Sequence, residues 1–145
     1  MEHFHPEYRK VVLKEVIDKE IGFLNDQQGG KPVKIEDAVP DTMARESDEN
    51  FLSVIIRNLL QNAMQHCEGE GGVVVAANGS EITITNPTKN GNAQMLNQRI
   101  IQGRIESGTS GLGLQLASDL AGRIGARLFF RSEEGVSLTA VLSWN

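Results

Sequence analysis

The chain has 145 residues, with 14 Lys plus Arg against 19 Asp plus Glu, a net charge of −5, and 39% hydrophobic residues. That length supports one packed core. The apolar content excludes a disordered chain, and the acidic balance excludes a general nucleic-acid binder, which needs clustered cations against phosphates. A single cysteine leaves no disulfide framework and no cysteine-rich zinc site.

No apolar run is long enough to span a bilayer. The first residues lack the basic flank and apolar run of a signal peptide. The expectation is a cytoplasmic domain that makes no membrane contact itself, with residues 1–145 forming a single unit without repeats.

A first helical pattern opens after His5-Pro6, carries Leu13, Ile17, Ile21 and Leu24 at helical spacing, and stops at Gly29-Gly30. Residues 31–36 read as a short strand with Val33 and Ile35 on one face, followed by a loop through Pro40. Ser47 reads as the N-cap of a second helix over residues 48–66, with Asp48 and Glu49 in its first turn. Phe51, Leu52, Ile55, Leu59 and Ala63 give that helix a broad apolar face. Residues 73–77 and 81–85 form a hairpin around Asn78-Gly79. A polar stretch over residues 86–110 holds a helical piece near residues 96–105. A third helix over residues 111–125, with Leu112, Leu116, Leu120 and Ile124, precedes a closing hairpin of residues 126–131 and 136–144. Hairpins interspersed with helices predict a two-layer α/β sandwich: a mixed, mostly antiparallel sheet of about five strands with three helices on one face. The regular alternation and early glycine fingerprint of a doubly wound dinucleotide fold are missing.

Three constellations carry chemistry. Asn58 and Asn62 are four apart and share a helix face. An amide oxygen is a hard ligand suited to magnesium, though the pair is equally a polar edge of an amphipathic helix. Residues 107–114, Ser-Gly-Thr-Ser-Gly-Leu-Gly-Leu, open a helix whose free N–H groups suit phosphate. The alternative there is a capped helix with a tight entry. No lysine follows as in a P-loop. Asn86-Pro87 ends a strand abruptly, the commoner fate of such an asparagine being to bond its own turn.

In this order the three resemble the ATP-binding catalytic domain of sensor histidine kinases, in the class shared with type II topoisomerases and the Hsp90 chaperones. NLLQNAMQH resembles the family's N box, ITITNP stands where its first glycine box falls, and SGTSGLGLQLA resembles its second. The resemblance implies a Bergerat-type sandwich with Mg²⁺ and ATP held between helices and lid. It implies that Asn62 binds magnesium, Asn58 faces the phosphates and Asn86 accepts the adenine amino hydrogen. Gly111, Leu112 and Gly113 match the phosphate turn, preceded by Gly108, Thr109 and Ser110. Gln65, His66, Thr88 and Ser137 complete the nucleotide set. Arg99 and Arg104 are lid candidates, with a solvated face as the alternative, and His66 also suits a helix C-terminus.

The chain departs from the family where Asp-x-Gly-x-Gly is replaced by Asn86-Pro87-Thr88-Lys89-Asn90, where Gln65 stands for a cation, and where no phenylalanine lies between Pro87 and Ser110. An amide at residue 86 both accepts and donates, so guanine is a conceivable second base, and Asn86→Asp is expected to keep or tighten ATP binding. Asn58 stands where ATP-hydrolysing relatives carry glutamate, and an amide does not activate water.

The function implied is that of the kinase's catalytic domain. It would donate the γ-phosphate to a histidine on the parent protein's own dimerisation domain, in a homodimer that serves a response regulator. That acceptor is expected outside this chain, since His3 and His5 lie at its extreme end, so the fragment is not expected to phosphorylate itself. The rival readings are an anti-sigma-factor serine kinase acting as a binding switch and a degenerate, non-catalytic regulator of the same fold.

Overall fold

The computed structural model describes residues 5–27, 33–69, 71–102 and 109–145, with only the backbone described at residues 102 and 109–112. Strand β1 (Arg9–Val12) runs directly into helix α1 (Leu13–Gln27). Strands β2 (Ile35–Ala38) and β3 (Ala44–Ser47) precede helix α2 (Glu49–Gln65). Strands β4 (Val73–Ala77) and β5 (Glu81–Pro87) form the first hairpin. Helices α3 (Ala93–Gln102) and α4 (Thr109–Arg123) then lead into the closing hairpin of β6 (Arg127–Glu133) and β7 (Ser137–Ser143).

Among the described residues five strands make one sheet in the order β2-β4-β5-β7-β6, parallel only between β2 and β4. Successive side chains of a strand point to opposite faces. Ile82, Ile84 and Asn86 of β5 therefore lie beside Leu142, Ala140 and Leu138 of β7 on the buried face. Thr83, Thr85 and Thr139 take the other face, where the Thr85 and Thr139 hydroxyls meet at 2.9 Å. Helices α2 and α4 pack on each other and on the sheet. Their apolar stripes, led by Leu52, Ile55, Ile56, Leu59, Ala117 and Ala121, close over it to form the core. Helix α1 packs on α2. There the almost fully buried Glu20 accepts from Arg57 Nε at 2.7 Å, and the Phe23 ring lies 4.5 Å from the same guanidinium. Arg57 precedes Asn58, so this clamp fixes the rotation of the helix that carries both site asparagines.

The sheet and its hairpins follow the sequence expectation, and four elements differ from it. Helix α1 begins at Leu13, because residues 9–12 pair with residues 44–47 in an antiparallel ribbon that the sequence does not announce. The strand expected over residues 31–36 is centred later, at Ile35–Ala38, where parallel pairing to Val73–Ala76 selects its register. Asp48, not Ser47, caps α2: Asp48 has extended backbone angles and its side chain accepts from Phe51 N at 2.9 Å, while Ser47 closes β3. The same carboxylate accepts from Glu7 N at 2.6 Å, tying the entering chain to the helix. A fourth helix is present, since the ambiguous piece near residues 96–105 is α3, starting at Ala93.

Helix α3 covers the β6 edge of the sheet. Asn97 accepts from Phe130 N at 2.7 Å and donates to Phe130 O at 2.9 Å, reproducing a strand's hydrogen bonds with one side chain. Asn97→Ala is expected to lower unfolding free energy by about 2 kcal/mol, because two partly buried backbone groups lose partners. Urea denaturation checks this.

Candidate functional site

Helix α2 carries Asn58 and Asn62 toward its C-terminal end, where its apolar face borders the exposed Gln61, Gln65 and His66. Asn58 is half-buried and its Nδ2 donates to Val54 O at 2.8 Å, which fixes the amide plane and leaves Oδ1 pointing at α4. A Cβ built on Gly113 would lie 2.7 Å from that oxygen. The glycine is therefore needed for the close approach of α4 to α2 at Asn58, a packing role beyond the phosphate role expected for it. Gly113→Ala is expected to change stability by no more than about 1 kcal/mol, because the Asn58 oxygen it meets is the movable end of a side chain and alanine is the better helix former. Nucleotide affinity should weaken, since the Asn58 amide is displaced, as a titration of the variant would show.

Asn62 is 7% exposed. Its backbone carbonyl accepts from His66 N at 3.1 Å, but its side-chain amide has no hydrogen-bond partner among the described residues. Among the described residues the fully buried side-chain atoms without a hydrogen-bond partner lie elsewhere, on Asp37, Arg45 and Ser47, so the Asn62 amide keeps an opening to solvent. An amide with free hydrogen-bonding capacity one helical turn from Asn58 is open to a ligand or ion, and the hard oxygen fits magnesium. Among the described residues no group of three or more His, Cys, Asp or Glu forms a separate metal centre.

Beyond Asn62, α2 ends in exposed Gln65 and the C-cap His66. The His66 carbonyl accepts from Asn86 Nδ2 at 3.2 Å, joining the end of α2 to the end of β5. Asn86 is 2% exposed and shares the core face of the sheet. The same Nδ2 reaches Pro87 O at 3.3 Å. Asn62, His66 and Asn86 are thus brought together by consecutive bonds.

The turn that follows Asn86 has no glycine at positions 87–90 and is held by a side chain instead. Glu68 Oε1 accepts from the Thr88 hydroxyl and from Lys89 N at 3.0 Å. These bonds hold the Glu68 carboxyl below its ordinary range, the Thr88 hydroxyl contributing most. The folded pKa lies below the unfolded one, so the clamp's contribution is full above the ordinary carboxyl value and disappears as pH falls through the folded value. The Thr88 hydroxyl, expected at the nucleotide, is committed to this clamp. Glu68 was not legible as a site residue, since one acidic residue after a helix carries no motif.

Residues Thr109, Ser110, Gly111 and Leu112 form the first turn of α4, two residues earlier than the expected helix start, and the N–H groups of such a turn lack helical partners. Gly108 and Arg104 lie outside the described residues. Arg99 is half-buried on α3, which packs against β6 rather than β5. Ser137 pairs with Pro87, so it lies on the sheet face opposite Asn86, and its neighbour Val136 accepts from Thr88 N at 3.0 Å.

No helix among the described residues is long and apolar enough to cross a membrane. Comparison with curated proteins returns no sequence match. Among solved structures the chain is similar to the cytoplasmic segment of histidine kinase QseC, with TM-score 0.72 and 16% identity over 100% of this chain and 82% of that one. It is similar to full-length ShkA in complex with AMPPNP, with TM-score 0.77 and 20% identity, covering 97% of this chain and 32% of that one. It is similar also to the mycobacterial sensor histidine kinase MprB, with TM-score 0.72 and 19% identity over 94% of this chain and 97% of that one. The fold is that of histidine kinase catalytic domains. The model of the histidine kinase-, DNA gyrase B- and HSP90-like ATPases matches residues 47–144, most of the chain, and the protein belongs to that family.

Proposed function

We propose that this chain is the Mg-ATP-binding catalytic domain of a two-component sensor histidine kinase, which presents the γ-phosphate to a histidine on the parent protein's dimerisation domain. The observation that carries the reading is the Asn62 amide, largely covered, open to solvent and bonded to no described residue, set one turn from Asn58 on the helix that packs against α4. Asn62 would supply an oxygen to magnesium, which when bound offsets phosphate charge. Asn58 and the first turn of α4 would face the phosphates, and Asn86 Oδ1 would accept from the adenine amino group. Asn58 takes no proton from water at neutral pH, so hydrolysis is not promoted. A histidine acceptor is nucleophilic without such a base. The domain then contributes positioning and charge neutralisation, the main terms in phosphoryl transfer.

The chain incubated with γ-labelled ATP and Mg²⁺ should not label itself. Adding a dimerisation domain that carries a phosphoacceptor histidine should give acid-labile label on that domain. Nucleotide binding with no transfer to any such domain would favour the binding-switch or regulatory reading. Transfer to a serine of a partner would favour the anti-sigma type.

A further inference from the structure

The two groups facing Asn86 Nδ2 are both carbonyl oxygens, of His66 and Pro87, at 3.2 and 3.3 Å. Carbonyls only accept, so the amide has one permitted orientation: turning it over would set its own oxygen against both. Asn86 Oδ1 receives no hydrogen bond from any described residue. The chain around this amide is held by further bonds. Glu68 N donates to Pro87 O at 2.9 Å, Glu68 Oε1 accepts from Thr88 and Lys89, and Asn90 N donates to Thr88 Oγ1 at 3.3 Å. On the far side Gly91 is pressed so close that a Cβ there would lie 2.9 Å from Thr88 Cγ2 and 3.2 Å from Leu138 Cβ.

We infer that Glu68 is a positioning residue for base recognition: it staples the turn at residues 86–90 to the end of α2 and so holds Asn86 as an acceptor only, favouring a 6-amino purine over a 6-oxo purine. This rests on the nucleotide site proposed above. Adenine presents an amino N–H to Oδ1. Guanine presents O6, and two acceptors then face each other with no N–H left over, since the Asn86 amide hydrogens are spent on His66 and Pro87. The tolerance of guanine that an asparagine suggests from sequence is thereby removed. The clamp also explains how a turn without the family's glycines keeps one path: side-chain bonds from Glu68 supply what permissive backbone would otherwise have to.

The test is displacement of a fluorescent ATP analogue from the whole chain by ATP and by GTP. It compares the parent with Glu68→Ala, Glu68→Gln, Thr88→Val and Asn86→Ala, each checked for folding by circular dichroism. The parent should prefer ATP by about tenfold or more, the worth of one to two hydrogen bonds. Glu68→Ala should lose most of that preference by weakening ATP, with GTP affinity little changed. Glu68→Gln still offers an accepting oxygen to Thr88 and Lys89 and should restore the preference. Thr88→Val, which keeps the Lys89 bond, should lose part of it. A merely structural Glu68 would change folding without moving the ATP-to-GTP ratio, and an unchanged ratio in Glu68→Ala and Thr88→Val overturns the inference. So does a parent that binds GTP as well as ATP. Asn86→Ala separates the two levels: if it binds ATP like the parent, the base is read elsewhere and the underlying site assignment fails as well.

Discussion

Replacing Asn62 with alanine should remove the magnesium-dependent part of ATP binding while leaving the fold about as stable as before. The two halves of that result have one cause. The Asn62 amide bonds to no described residue and is not among the fully buried unpaired groups, so its removal breaks no bond among the described residues and relieves no desolvation penalty. Truncation leaves only a small void at the edge of the core. For nucleotide the effect is large. Even the outer-shell partners of metal ligands are worth about 10–100-fold in affinity, and loss of a direct ligand should reach the upper end of that range. Calorimetric titration with ATP, with and without Mg²⁺, should show the two conditions converging in the variant. Thermal unfolding should show no loss of midpoint.

The second large effect is expected from Asn86→Asp, and it runs against the sequence expectation. An aspartate would restore the residue the family carries, yet in this protein it would aim a carboxylate at two carbonyl oxygens 3.2 and 3.3 Å from the present amide nitrogen. Two backbone acceptors would lose their donor in a site that is 2% exposed. At pH 7 the variant should be less stable than the parent by about 2–3 kcal/mol and should bind ATP more weakly. The sign of the pH dependence follows. Burial and the facing carbonyls disfavour the charged form, so the folded pKa of the new aspartate lies above its unfolded value of about 3.9. The folded state then holds more protons in the window between the two values, and stability falls as pH rises through it. The deficit relative to the parent should therefore shrink near pH 4 and widen toward neutrality. Urea denaturation of both proteins at pH 4.5 and pH 7 measures it.

The parts legible in the sequence are those with strong local pattern. The α2 stripe of Leu52, Ile55, Leu59 and Ala63 and the Asn78-Gly79 hairpin need no distant information, and both stand as expected. The β1–β3 ribbon was hidden because Arg-Lys-Val-Val and Ala-Arg-Glu-Ser have no alternation, and only their mutual pairing makes them strands. Ser47 and Asp48 are equally good caps by type. The choice between them was settled by where β3 ends and by the second bond that Asp48 makes to Glu7 N. At the candidate site, helical spacing brought out Asn58 and Asn62. The orientation of Asn86 and the role of Glu68 depend on backbone groups brought near by the return of the chain from α2 to β5, and no local spacing encodes those. Parity along β7 likewise places Ser137 away from Asn86, which the motif resemblance alone could not show.

The most direct measurement is nuclear magnetic resonance of the isotopically labelled chain, following the side-chain amide signals of Asn62 and Asn86 during titration with ATP. Both signals should shift and saturate together when Mg²⁺ is present. Without the metal, the Asn86 signal should still respond and the Asn62 signal should stay near its starting position. ATP binding that moves neither amide, or that moves Asn62 equally without magnesium, would contradict the placement of the nucleotide between α2, α4 and the end of β5.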